Sequence, residues 1–353
     1  MRALNLIIIL FLFCGCIKQI KLNYRTPPNT LVVEGLLLTD STPCKVSLSY
    51  SGLFNEKGGQ LKNYITDAIV FVYDDMNDSL KLTGDGAGNY TDVHNEFYAK
   101  PEHSYYIKIF LSNGETYASV PENIPKVVNN FELDTIGVSP TPALPDLFGA
   151  DIKINIQDPP DETNYYRWIT RDYVPRKATG VPCSFGNPPA FCNQYCYQVF
   201  TDSVIRILSD KNINGNLIRD ESVLISPYYY YGNHFVEIKQ LSLTREAYQF
   251  WQLYQQQTTR TGTIEDPLPS ALNGNVYNIQ DSTQLALGYF EASDAVSKKY
   301  ILAPQFINSY FTLANITRYI YPEQGNCWDV YPNAFQYGPD EWNNLTPLIY
   351  NVY

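Results

Sequence analysis

The chain has 353 residues, with 36 Asp and Glu against 25 Lys and Arg, a formal net charge of −11. An acidic surface with no basic run repels phosphate backbones, which excludes nucleic acid as a partner class. Its three histidines, His94, His103 and His234, stand far apart, and no His-Glu-x-x-His, Gly-x-Ser-x-Gly or glycine-rich phosphate motif occurs. The acidic pairs Asp74-Asp75 and Asp161-Glu162, which a glycosidase would want, sit in turn-like stretches where carboxylates are solvated.

At the N-terminus Arg2 precedes an apolar stretch from Leu4 to Phe13, then small Gly15 and a cysteine. That stretch is too short to span a bilayer, so residues 1–15 read as a signal peptide. "FCGC" (Phe13 to Cys16) is similar to a bacterial lipobox, with Phe13 where Leu is usual. Cys16 is therefore expected to carry a lipid that ties the protein to a bilayer, with residues 16–29 as tether. Ordinary secretion with cleavage nearby is the alternative.

The remainder is expected to be mainly β. "LVVEGLLL", "CKVSLSY", "AIVFVYD", "SYYIKIFL" and "ETYASV" are short strand-like runs between turn residues, and "SNGE" (Ser112 to Glu115) is a hairpin signal. They predict an antiparallel β-sandwich over residues 30–122, of immunoglobulin or fibronectin type. "VPENIPK" (Val120 to Lys126) reads as a boundary, because its prolines interrupt ladder pairing. A second sandwich is expected over 128–353. Within it, Ala247, Phe250, Trp251 and Tyr254 recur at helical spacing, which predicts an amphipathic helix near 243–257 capped by Ser242 or Thr244. The tail after Pro304 reads as loop-rich.

Five cysteines follow Cys16, an odd number, so one should be free. A zinc site near Cys183, Cys192 and Cys196 lacks a nearby histidine, and disulfides fit an exported chain better. Cys183 and Cys192 enclose a proline-rich loop and are expected to pair. Cys196 is assigned to Cys327, which leaves Cys44 free in its strand.

"SDKNINGNLIRDE" (Ser209 to Glu221) raises a metal question. Asp210, Asn212, Asn214 and Glu221 match the ligand spacing of an EF-hand calcium loop. Its flanks, however, alternate like strands, and Pro227 leaves no room for an exit helix. Asn214-Gly215 between two such runs predicts a β-hairpin tip, with calcium the lesser reading and no other cofactor expected. The run Tyr228, Tyr229, Tyr230 and Tyr231 is a candidate interface, since exposed aromatic rings bury large area on binding. Plain half-buried strand tyrosines are the alternative.

"DPPDETNYYRW" (Asp158 to Trp168), "SDKNINGN", "DPLPSALNGNVYN" and "LGYFEAS" (Leu287 to Ser293) stand in order after a lipobox-like start and "LVVEGLL". As a set they make the chain resemble the Bacteroidota lipoprotein family known as domain-of-unknown-function 4249. The resemblance implies an outer-membrane lipoprotein working beside a TonB-dependent receptor, and it brings no catalytic residues. The chain departs from the family pattern at "NCWDV", where Val330 replaces a second cysteine, and at "CIKQIKLNY", which is basic after Cys16. The expected function is a lipid-anchored accessory protein for ligand capture rather than an enzyme. A structural or adhesive surface protein is the rival, and a hydrolase the distant third.

Overall fold

The computed structural model describes residues 29–52, 63–126, 131–140, 148–160, 162–183, 190–202, 204–227, 233–259, 272–306, 323–331, 334–335, 345 and 347–352. Cys16, the signal stretch and Tyr228 to Tyr231 lie outside the described residues. The fold is mainly β, with large sheets.

In the N-terminal part, β1 (Leu31–Leu38), β2 (Lys45–Tyr50), β3 (Ile69–Asp74), β4 (Ser104–Phe110), β5 (Thr116–Ser119) and β6 (Glu122–Asn123) follow one another. Apolar residues alternate along them, so one face turns inward. Leu31, Val33, Val46, Leu48, Ile107 and Ile109 meet there in a single core. Each such side chain contributes about 1.5–3 kcal/mol on burial. The Ser112–Glu115 turn joins β4 to β5 as an antiparallel hairpin, with Gly114 at φ 91°.

The next strands are β7 (Phe131–Pro140), β8 (Phe148–Gln157), β9 (Tyr165–Lys177), β10 (Tyr195–Thr201), β11 (Leu217–Pro227) and β12 (His234–Ser242). Strands β7, β8 and β11 form a separate three-stranded sheet. It shares a core with β9 and β12, through Phe131, Ile152, Ile154, Tyr166, Val236 and Ile238. Helix α1 (Arg245–Thr258) follows, then β13 (Asn273–Asn278), β14 (Leu285–Phe306), the short α2 (Cys327–Val330) and β15 (Pro347–Val352).

Strand β14 is the element that relates the two parts. At 22 residues it extends roughly 70 Å. Its first stretch runs parallel to β1, from Val32 opposite Leu287 to Leu38 opposite Ser293. Its second runs antiparallel to β12, from Ser242 opposite Asp294 to His234 opposite Leu302. Strand β13 meanwhile pairs with β5, and Val276, Phe290 and Ala292 enter the N-terminal core. The nearly barrel-like N-terminal sheet is thus completed by residues 273–293. A boundary at 122–128 separates β6 from β7 but accounts for neither of these late strands. Gly35 permits the parallel approach, because a Cβ there would stand 2.6 Å from Cδ2 of Phe290.

A disulfide joins Cys183 to Cys192, and another ties α2 to β10 through Cys327 and Cys196. Cys44 is free and buried. Burial first, and the Asp92 carboxylate second, push its thiol up to about 12.

Candidate functional site

Helix α1 starts at the seam between the two parts, and its cap begins the site. Thr244 has extended backbone angles, and its hydroxyl accepts the Ala247 N–H at 3.1 Å. This satisfies one donor of the first turn. The same hydroxyl donates its proton to Oε1 of Glu122. Glu122 lies in the two-residue strand β6, and its Oε2 accepts the Tyr289 hydroxyl at 3.0 Å and the Asn275 amide at 3.5 Å. Strand β6, helix α1 and strands β13 and β14 therefore converge on one carboxyl group.

That carboxyl is 5% exposed. Burial pushes its pKa up to about 7 against the pull of the Thr244 and Tyr289 hydrogen bonds, and the charges of Glu291 and Glu246 raise it further. Burial and the Glu122 carboxylate likewise push the Tyr289 phenol up. Glu122 lines a groove of about 520 Å³, with Val120, Phe250 and Leu253 as apolar walls and Glu246 and Gln249 at the helix side. Val120 and Leu253 are 51% and 46% exposed, so the apolar walls of the groove face solvent.

Backbone crowding shapes the groove. A Cβ on Gly274 would fall 1.5 Å from the Gly288 carbonyl oxygen, so only glycine fits there. The Asn275 side chain bridges the irregular register, accepting from the Phe290 N–H and donating to its C=O, each at 2.9 Å.

Behind the groove stands a second carboxylate. Glu291 is 1% exposed, and its Oε2 accepts from Arg167 Nη1 and from Trp251 Nε1, each at 2.5 Å. Its Oε1 accepts the Ser293 hydroxyl at 3.1 Å. The Arg167 guanidinium lies 3.7 Å from the Trp251 ring centroid, a close cation–π contact. Three donors, one of them the Arg167 cation stacked on Trp251, make Glu291 part of a structural ion pair, whereas Glu122 has only neutral donors and faces open volume.

The 209–221 stretch is a turn between two sheets rather than the expected hairpin. Residues Arg206–Ser209 pair with β9, while β11 pairs with β8. Asn214-Gly215 does supply the left-handed turn, with Gly215 at φ 78°. Pairing is decided by burial instead, as Ile218, Val223 and Leu224 enter the core from the other sheet. Asp210 is fully buried, and its Oδ2 accepts the Asn164 N–H at 2.9 Å. Its Oδ1 has no partner among the described residues. Asp158 accepts the Tyr166 hydroxyl at 2.5 Å and the Gly215 N–H at 2.8 Å. Burial, and the charge of the neighbouring Asp158, push the Asp210 carboxyl up. Asn212 is exposed, Asn214 donates to the Glu162 carbonyl at 2.6 Å, and Glu221 lies opposite Ile154 in the ladder. No group of three or more His, Cys, Asp or Glu gathers as a metal site among the described residues.

Sequence spacing also hid a cluster around His234. Ser226 donates to Asp172 Oδ2 and lies 2.8 Å from His234 Nδ1. All three side chains are 1% exposed or less. Here serine bridges acid and imidazole, whereas in a nucleophilic triad the imidazole bridges the other two. With the serine proton given to Asp172, His234 Nδ1 carries the donor proton.

The model of a domain of unknown function, DUF4249, matches residues 17–299. The chain belongs to this family. All groove residues named above fall within the DUF4249 match, while Cys327 and α2 lie beyond it. No curated protein matches the chain.

Proposed function

We propose that this DUF4249 protein is a lipid-anchored binding protein of the bacterial outer membrane, which assists a TonB-dependent receptor in ligand capture. The observation that carries the reading is the groove at the seam. Concave sites with apolar walls and a few convergent polar groups, one of them with a shifted pKa, are the usual form of small-ligand sites. The groove is built on rigid strands and a capped helix, which suits presentation of a bound molecule. The lipobox-like "FCGC" supports anchoring at Cys16, and the family resemblance supports a Bacteroidota envelope and the receptor partner. In this reading the two cores are two β-sandwich modules sharing strand β14.

Affinity isolation from native membranes tests the proposal. The wild-type protein is expected to bring down an outer-membrane receptor, and the Cys16→Ser protein to leave the membrane fraction. Recovery of a self-assembled array, or of host-surface material with no receptor, would replace capture with the adhesive role. Mass spectrometry that finds an unmodified Cys16 and cleavage elsewhere would remove the anchor.

A further inference from the structure

We propose that the groove takes a small organic cation, a protonated primary amine on an apolar body, with the Glu122 carboxylate receiving the charge. This rests on the groove being a ligand site.

The charge of the lining points one way. Glu122 and Glu246 line the groove, and none of the lining residues is Lys, Arg or His. Arg167, the cation of the Glu291 network, is committed to Glu291 and to the Trp251 ring. An anionic ligand would therefore meet two carboxylates, a third behind them, and no counter-charge. A carboxylate offers about four acceptor positions. Thr244, Tyr289 and the longer Asn275 contact occupy three around Glu122, leaving acceptor capacity toward the cavity. An ammonium group brings three donors, and the amide side chains of Asn273 and Gln249 in the lining offer further carbonyl oxygens. The apolar body then has Val120, Leu253 and the Phe250 ring to cover. That ring is itself held at 4.9 Å from the Tyr289 ring.

The groups facing Glu122 from each packed element are Tyr289 and Glu291 on β14 and Glu246 on α1. Their arrangement makes amine binding pH-dependent. Binding should strengthen from pH 6 to pH 8, as Glu122 passes from neutral to charged.

Calorimetric titration of the detergent-solubilised full chain with three isosteric probes tests this. They are phenethylamine, 2-phenylethanol and phenylacetate. The amine is expected to bind at least about tenfold more tightly than the alcohol at pH 8, with phenylacetate weakest. Glu122→Gln should reduce the amine's advantage to within about twofold. Glu246→Gln, at an exposed position of the first turn of α1, should reduce it partially. Equal binding of amine and alcohol would overturn the cation proposal while leaving the groove a ligand site. Binding of none of the three would overturn both. A Glu122→Gln protein with altered stability but an undiminished amine preference would make Glu122 a structural acid only, and would also overturn the proposal.

Discussion

Two buried acid sites in this molecule resemble each other in composition and differ in what surrounds them. Glu122 and Asp210 each have a raised pKa, and burial is the first cause in both. Asp210 is sealed in a turn against a second acid, Asp158, whose oxygens accept a phenol and a backbone N–H. Glu122 instead opens on a groove and sits in front of a fully paired carboxylate, Glu291. A shifted pKa therefore does not mark a ligand site by itself. Access to open volume separates the two.

Perturbing the ion pair should have the largest effect. Arg167→Ala leaves Glu291 buried without its cation, and losing one partner of such a pair costs about 3–5 kcal/mol. A lowered urea midpoint with unchanged slope is expected. A midpoint within experimental error of wild type would mean that Glu291 does not need Arg167.

The next effect is pH-dependent. Glu122 has a folded pKa raised from 4.5 to about 7. Its contribution to stability is therefore full below the unfolded value and is lost as pH rises through about 7. At 1.36 kcal/mol per pH unit this spans about 3 kcal/mol. Glu122→Gln should flatten the stability profile between pH 4.5 and 7. A variant with the parent's slope in that window would place the titration elsewhere.

The sealed pair should respond unequally to a common change. Asp158→Asn removes one of two acceptors and should cost about 1–3 kcal/mol. Asp210→Asn mimics a protonated acid and keeps a carbonyl acceptor for the Asn164 N–H, so it should cost less than Asp158→Asn. The raised Asp210 pKa predicts that the pair's stability contribution is full at low pH and declines as pH rises. Equal losses from the two Asn variants in thermal melts would contradict a burial-raised Asp210 carboxyl.

The smallest effect is expected at the groove mouth. Leu253→Ser removes an exposed side chain and should move stability by no more than about 0.5 kcal/mol. A larger loss would mean that Leu253 is covered in the intact protein.

The sequence makes some of this legible and hides the rest for physical reasons. Alternation in "LVVEGLLL" reports a strand with Leu31, Val33 and Leu37 inward, because side-chain period is local. The helix and its Thr244 cap are local too. The partner of that cap is not. Glu122 stands in "VPENIPK", which reads as a boundary, and its hydrogen-bond partners Thr244 and Tyr289 lie 122 and 167 residues away. Asn214-Gly215 fixes a turn but not the sheet each flank joins, so a hairpin is predicted where the chain changes sheets. Nothing in the spacing of Asp172, Ser226 and His234 reveals their contact, since it arises from strands β9, β11 and β12 meeting in one core.

A groove carboxyl poised near neutrality is the centre of the site, and carbon-13 NMR titration of the Glu122 side-chain carboxyl measures it directly. With Glu122→Gln to assign the signal, the predicted midpoint lies near pH 7. A midpoint near 4.5, the unshifted value, would contradict the buried carboxyl on which the site is built.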